Sequence, residues 1–321
     1  SADPAVSCSY TSEPWAAWIA VKGDKMLKKV QGIIPPLTTP FTKSGDVYEQ
    51  GLRRLVDFQI EKGVHGLVIC GTYGSGPIMT VQERKRVHEI VVDQVDGRIP
   101  VIAHVGTTST AQSVELAQHA ESVGTDYVAS VSPYYHGHDE RAVVEHFQRL
   151  VEAVGLAVYV YNNPKASGVT ITPSFLHHLA DVGVQGIKDS GFSLIELTHF
   201  MLALQDVPGF RFIVGTEALA LPAFLMGAKG SVSGLANAFP ELVVKLWDLF
   251  QAGEYEQAVQ AQMQVTRARQ ILHIPSSTNA ACYAVLHERG IDVGYPKAPI
   301  LPVREGKRAA MIAEFREMGL L

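Results

Sequence analysis

From Gly32 onward two kinds of segment alternate along the chain. Runs of about five apolar residues, bounded by glycine, proline or polar turn residues, read as strands buried on both faces. Amphipathic stretches of roughly 10–15 residues follow them with helical spacing. The strands are predicted at residues 32–37, 66–70, 100–105, 127–131, 157–161, 184–188 and 210–214, with a weak eighth at 230–233. Helices are predicted near 49–62, 81–94, 111–122, 139–154, 173–181, 194–204, 217–226 and 240–251. In the first of these, Leu52, Leu55, Val56 and Ile60 fall on one side.

Eight strand–helix units without a break in composition predict an α/β fold, a closed (β/α)8 TIM barrel. An open doubly wound sheet is the competing architecture. It would normally carry a G-x-G-x-x-G phosphate turn after its first strand, and the chain has none there. Three further helical stretches, 254–271, 278–289 and 304–318, predict a C-terminal helical appendage. The expected organisation is therefore an N-terminal extension at 1–25, a barrel at 26–252 and a helical region at 253–321. Residues 1–25 show no periodicity, and Met26 is a plausible native start. An arm covering a partner subunit is the functional alternative for that extension.

Hydrophobic residues make up 47% of the chain and charged ones 18%, which supports a large core and argues against a disordered protein. The net charge of −5 offers no basic footprint for nucleic acid. No apolar run is long enough for a membrane span. Cys8, Cys70 and Cys282 make no disulfide framework and no zinc-finger spacing, which points to a reducing, cytoplasmic compartment.

A barrel of this kind places its chemistry at the carboxyl ends of the strands. Those ends offer Thr38-Thr39, the turn Gly71–Gly76, Thr107-Thr108, Ser132-Pro133-Tyr134-Tyr135, Tyr161-Asn162-Asn163, Lys188-Asp189, Thr216-Glu217 and Ser233–Asn237. They are hydroxyls, phenols and small residues around one lysine, without a carboxylate cluster. No catalytic metal is expected, and no cofactor. A lone lysine among phenols suits a Schiff base with a ketone, the iminium serving as electron sink. Burial would make the Lys188 amine available as the nucleophile. A tyrosine at a neighbouring strand end can shuttle protons. Backbone N–H groups from Gly71 onward can hold a carboxylate, and Ser233 is a further candidate contact. The plainer readings are a solvent-reaching lysine, a packing tyrosine at 161, an ordinary βα turn at 71–76 and a satisfied core histidine at 104. His136 and His138 follow a strand end and read either as substrate contacts or as a solvated loop.

Five motifs then occur together in order: Pro35-Pro36-Leu37-Thr38-Thr39-Pro40-Phe41, Gly71-Thr72-Tyr73-Gly74, Ser132-Pro133-Tyr134-Tyr135, Tyr161-Asn162-Asn163-Pro164 with Gly168, and Gly186-Ile187-Lys188-Asp189. With them the chain, from about Val30 to Leu320, resembles the dihydrodipicolinate synthase/N-acetylneuraminate lyase family of class I pyruvate-dependent aldolases. The resemblance implies that Lys188 forms the Schiff base with pyruvate or a 2-keto acid. It implies Tyr161 as general acid/base, Thr72 as relay, and Tyr135 completing that relay from a neighbouring subunit. Thr72 and Tyr73 would bind the pyruvate carboxylate, and a homotetramer is expected.

Three positions depart from the family pattern. Tyr73 replaces the usual Thr or Ser, and its phenol must find room. Ser75 replaces a frequent Glu. Ala166 stands at a substrate-facing position where the lysine-biosynthesis synthases carry an arginine, and adjacent Lys165 is no bidentate substitute. Gly74-Ser75-Gly76-Pro77, Ala166-Ser167-Gly168 and residues 294–302 resemble the 2-keto-3-deoxygluconate aldolases instead. The expected reaction is therefore reversible cleavage of a 2-keto-3-deoxy sugar acid to pyruvate and an aldehyde. A 4-hydroxy-tetrahydrodipicolinate synthase, joining pyruvate to aspartate semialdehyde, is the alternative. A keto-acid dehydratase and a catalytically silent binding protein on the same scaffold are further ones.

Overall fold

The computed structural model describes residues 29–321; the expected extension at 1–25 lies outside them. Eight strands form the centre: β1 (Gly32–Ile34), β2 (Leu67–Ile69), β3 (Val101–His104), β4 (Tyr127–Val131), β5 (Ala157–Asn162), β6 (Gly186–Asp189), β7 (Arg211–Val214) and β8 (Gly230–Val232). All are parallel, in the order β1-β8-β7-β6-β5-β4-β3-β2. The remaining seam, β1 to β2, carries a single parallel bridge, Pro36 to Val68. Pro35 and Pro36 have no N–H to give to a longer ladder. The oxygen of Pro35 accepts from Val68 at 3.0 Å and Leu37 N–H donates back to Val68 at 2.8 Å, which draws the ring together. The structure is the expected TIM barrel.

Twelve helices surround and extend it among the described residues: α1 (Glu49–Glu61), α2 (Val81–Val95), α3 (Thr110–Val123), α4 (Glu140–Ala153), α5 (Pro164–Ser167), α6 (Pro173–Asp181), α7 (Leu194–Ala203), α8 (Ala220–Leu225), α9 (Pro240–Gln251), α10 (Tyr255–Leu272), α11 (Thr278–Glu288) and α12 (Glu305–Glu317). Helix α1 buries Leu52, Leu55, Val56 and Gln59, spaced three and four apart on one face. Helix α2 begins at a capping box: Glu83 N–H donates to Thr80 Oγ1 at 3.2 Å, and Thr80 N–H to Glu83 Oε2 at 2.8 Å. The expected helix at 217–226 is broken. Pro222 has no N–H, so it fits only the first turn of a helix that restarts at Ala220, after a 3-10 turn at Glu217–Leu219.

Period-two alternation divides the strands' side chains between two cores. Along β4, Tyr127 and Ala129 join Ile34, Val68, Ile102, Tyr159, Ile213 and Val232 inside the barrel. Val128 points the other way, into the layer under the helices. A second outer cluster packs α10–α12 against α8 and α9, with the Phe239 and Phe315 ring centroids 4.7 Å apart. Among the described residues no helix is long and apolar enough to cross a membrane.

Candidate active site

Strands β5 and β6 decide where the chemistry sits. Tyr161 and Lys188 are direct partners in their ladder. In a parallel pair, partners in register face the same side, and both of these face the barrel interior. The Lys188 Nζ lies 3.6 Å from the centroid of the Tyr161 ring. The next pair in register, Asn162 and Asp189, faces outward and is buried. There Asn162 Nδ2 donates to Asp189 Oδ1 at 2.7 Å, and Gly191 N–H donates to the same oxygen at 3.1 Å. Burial holds the Asp189 carboxyl above its usual range despite these two donors. The outward pair thus fixes the register that brings the inward pair together.

Below Lys188, Gly186 leaves room for a neighbour. A Cβ there would stand 2.8 Å from the Tyr159 ring and 2.9 Å from the Arg211 carbonyl. The space beneath the lysine is a cavity of about 20 Å³, enough for one water, lined by apolar residues with Gly71, His104, Tyr161 and Lys188 among them.

The Tyr161 hydroxyl is surrounded by polar side chains. Asn163 Nδ2 donates to it at 3.0 Å, and the side chains of Thr72, Ser190 and Lys188 stand near enough to bear on its ionisation. Burial pushes this phenol up, but the Lys188 charge and the Thr72 and Ser190 hydroxyls outweigh burial and bring its pKa below the ordinary tyrosine value. His104 stands edge-on to the Tyr161 ring, centroids 5.9 Å apart. Its Nδ1 bonds the Cys70 carbonyl at 3.2 Å, and its Nε2 accepts from Val131 N–H at 3.2 Å. A carbonyl only accepts and an amide N–H only donates, so the ring is neutral with its proton on Nδ1. Burial first, then the Arg84 and Lys188 charges, hold its pKa well below the usual value. His104 is the satisfied core histidine.

The Gly71–Gly76 turn is built around close backbone approaches. A Cβ at Gly76 would lie 1.7 Å from the Cys70 carbonyl, and one at Gly74 2.9 Å from the Leu37 carbonyl. Gly76 N–H donates to the Gly71 carbonyl at 3.0 Å, and Thr39 Oγ1 to the Gly74 carbonyl at 2.8 Å. Ser75 adopts a left-handed φ of 59°, and its hydroxyl is buried without a hydrogen-bond partner among the described residues.

Tyr73 turns out of the barrel. Its hydroxyl bonds Thr278 Oγ1 on α11 at 3.0 Å, its carbonyl accepts from Asn279 Nδ2, and its ring lies over Gly234. A Cβ at 234 would meet the Tyr73 oxygen at 2.4 Å, so any larger residue there would displace the ring. The phenol therefore finds its room under the C-terminal helices, and its pKa is raised, by burial above all.

The other expected positions lie farther out. Ser233 is fully buried, and its hydroxyl donates to Glu217 Oε2 at 3.0 Å, so it belongs to a clamp between β8 and α10. Arg269 Nε on α10 reaches the other Glu217 oxygen at 3.2 Å. Lys165 and Ala166 sit exposed on α5. Tyr135 is 89% exposed within one chain, with a left-handed φ of 79°, and stacks edge-on against exposed His136. Sequence reasoning missed Asn163 and Ser190 as neighbours of the phenol. The available signal was proximity: one lies two residues after Tyr161, the other two after Lys188. No group of three or more His, Cys, Asp or Glu among the described residues could hold a metal ion.

The model of the Dihydrodipicolinate synthetase family matches residues 29–317. The chain belongs to this family. Its members are pyruvate-dependent class I lyases, and the chain is an enzyme of that class. The 4-hydroxy-tetrahydrodipicolinate synthase of Methanopyrus kandleri is 33% identical over 299 residues, covering 91% of this chain and 98% of that protein. Among solved structures, YagE, a prophage protein of E. coli K12 in complex with pyruvate, superposes with a TM-score of 0.88 at 27% identity, covering 91% of this chain and 99% of that one. A variant of the 2-keto-3-deoxygluconate aldolase of Sulfolobus solfataricus gives 0.83 at 25% identity, covering 90% and 96%. Proteins named as a synthase and as an aldolase are thus both similar to the chain.

Proposed function

We propose that the chain is a Schiff-base aldolase that reversibly cleaves a 2-keto-3-deoxy sugar acid to pyruvate and an aldehyde. The observation that carries this reading is the in-register pairing of Lys188 with Tyr161 at the mouth of the barrel, with Thr72 on the phenol. The Lys188 amine adds to the ketone and water leaves, giving an iminium. Tyr161, relayed through Thr72, takes the proton of the hydroxyl on the carbon to be released. The C3–C4 electron pair then moves into the C2=C3 bond while the iminium pair moves to nitrogen. The aldehyde departs, the enamine is reprotonated at C3, and water releases pyruvate. The N–H groups of Thr72 and Tyr73 hold the substrate carboxylate, so Tyr73 acts through its backbone while its phenol faces α11.

The choice of second substrate rests on position 166. Ala166 offers no cation to an aldehyde that carries its own carboxylate, and Lys165 beside it is exposed. The likeness to the Sulfolobus aldolase supports the same choice. The synthase remains the second reading, favoured by identity to relatives that bear that name. The proposal extends to a homotetramer, in which Tyr135 of one subunit would reach the relay of another. It also extends to a cytoplasmic setting, which suits the unpaired buried thiols Cys70 and Cys282.

Borohydride added with pyruvate should leave a stable adduct on Lys188, read by peptide mass spectrometry, and Lys188→Ala should abolish it. A folded wild type that cannot be trapped would sink the mechanism. Cleavage of 2-keto-3-deoxygluconate against condensation with aspartate semialdehyde then decides the substrate. A product that has lost water with its carbon chain intact would indicate a dehydratase. Tight keto-acid binding without turnover over a broad aldehyde panel would indicate a silent binding protein.

A further inference from the structure

The phenol oxygen of Tyr161 has two neighbours for which the steps above give no role. Asn163 Nδ2 donates to it at 3.0 Å. The Ser190 hydroxyl also stands near it, while keeping a long contact of 3.4 Å to the Gly215 carbonyl. We propose that Asn163 and Ser190 are positioning residues for proton transfer through Tyr161, Asn163 as a fixed donor and Ser190 as a second acceptor beside Thr72. This rests on the Schiff-base reading of Lys188.

Hydrogen-bond inventory carries the argument. An amide NH2 and an ammonium can only donate. Asn163 therefore points a proton at the phenol oxygen and can take none from it, and a charged Lys188, lying over the ring 3.6 Å from its centroid, can take none either. The phenol's own proton must go to a neighbour with lone pairs. Among its four polar neighbours only the hydroxyls of Thr72 and Ser190 qualify. Ser190 is therefore a second way out for a proton that the Thr72 relay alone would otherwise carry.

Both side chains are held from behind. The Asn163 carbonyl accepts from Ala166 N–H at 3.0 Å, Ser167 N–H at 2.9 Å and Ser167 Oγ at 3.0 Å. Pro164, with its fixed φ, opens the short helix α5 that makes those bonds. This helix buries only Ser167 of its four residues. Its effect is to aim one amide back at the phenol. Ser190 N–H donates to the Asn162 carbonyl at 2.8 Å, which continues the β5–β6 pairing past Asp189. The Ser190 hydroxyl rests against the bare Cα of Gly215, where a Cβ would stand 2.0 Å from it.

The test needs pyruvate alone. On the Schiff base, Tyr161 as phenolate removes a C3 proton; that electron pair forms C2=C3 and the iminium pair moves to nitrogen. In D2O the reverse step returns deuterium, so loss of the methyl signal by proton NMR reports the transfer. Removing a donor makes the phenolate harder to form. Asn163→Leu should shift the acid limb of the exchange rate upward by about one pH unit and slow exchange about tenfold. Asn163→Ala gives the same reading if the leucine variant does not fold. Asn163→Asp should be slower still, since a carboxylate donates nothing and repels the phenolate. Thr72→Val and Ser190→Ala should each slow exchange, and the double variant should fall well below either. A limb unmoved in both Asn163→Leu and Asn163→Ala, wild-type exchange in Asn163→Asp, or a double variant equal to Thr72→Val would overturn the inference. Wild-type protein that neither exchanges nor is trapped by borohydride overturns the Schiff-base reading as well; normal wild-type exchange with an unmoved Asn163 limb overturns this inference alone.

Discussion

Lys188 and Tyr161 were legible in the sequence for different reasons. The lysine stood at the end of a short apolar run, and the tyrosine was the phenol at the end of a neighbouring one. What the sequence could not supply was their register, since a strand reads the same whichever way it is slid against its neighbour. Asn163 and Ser190 escaped because their contacts depend on two backbone devices, the Pro164 turn and bare Gly215, that leave no periodic trace. At this scale Tyr161→Phe should lower kcat by about two to four orders of magnitude, the usual contribution of a positioned acid or base. Some borohydride trapping should survive, because Lys188 is intact. The wild-type kcat/KM should show an acid limb with its midpoint below the value of about 10 for free tyrosine, as burial, which raises the phenol's pKa, is outweighed by the Lys188 charge and the Thr72 and Ser190 hydroxyls. In Tyr161→Phe that limb should vanish from the pH–rate profile. A limb unchanged by the substitution would assign the ionisation to another group.

Among the elements, the turn after β2 is the most constrained. Its glycines were visible and admitted two readings, an anion cradle and an ordinary turn. Contact with the Cys70 and Leu37 carbonyls explains both glycines on steric grounds, independently of any anion. Gly76→Ala should therefore destabilise the fold by more than about 3 kcal/mol, since a carbonyl oxygen has no rotamer with which to give way. Thermal melting measures that loss, and a variant melting like wild type would mean that the turn can rearrange. Tyr73→Phe is milder. It removes the bond to Thr278 and should cost about 1 kcal/mol, with pyruvate affinity nearly unchanged because the carboxylate contact is proposed for the backbone. A large rise in the pyruvate concentration needed for trapping would instead place the phenol in the pocket. The sequence flagged Tyr73 as a problem without locating its solution, because the space it fills lies between segments some two hundred residues apart.

At the scale of the whole molecule, hydrophobic periodicity predicted the barrel nearly strand for strand. The errors fell where a proline or a short loop helix interrupts the repeat, as at 217–226 and at α5. The attachment of the C-terminal helices was not legible. It runs through buried Glu217, which ties Ser233 and the Gly234 N–H of the β8 end to Arg269 on α10. Glu217→Gln should cost about 3 kcal/mol by leaving Arg269 without its counter-charge, seen as a lower melting temperature. Acid should weaken the protein through its buried histidines. Burial lowers His88 to about 3 and His146 to about 4, and keeps His104 well below its usual value. Between those values and about 6.5 the unfolded chain binds more protons than the folded one, so stability rises with pH across that window. Going from pH 7.5 to 5 should cost about 2 kcal/mol for each histidine, partly offset by Asp189, whose raised carboxyl works in the opposite sense. Urea unfolding at the two pH values checks this, and equal stabilities would contradict it. The paired registers of β5 and β6 have one more consequence. Sliding either strand by one residue would turn its own member of the pair, Tyr161 on β5 or Lys188 on β6, away from the barrel interior. A barrel closed with the wrong alignment there could be compact and helical yet chemically inert. The fraction of chains that borohydride and pyruvate can label is therefore a head count of barrels closed with β6 in its proper alignment, one that circular dichroism, which senses helix and strand but not alignment, cannot provide.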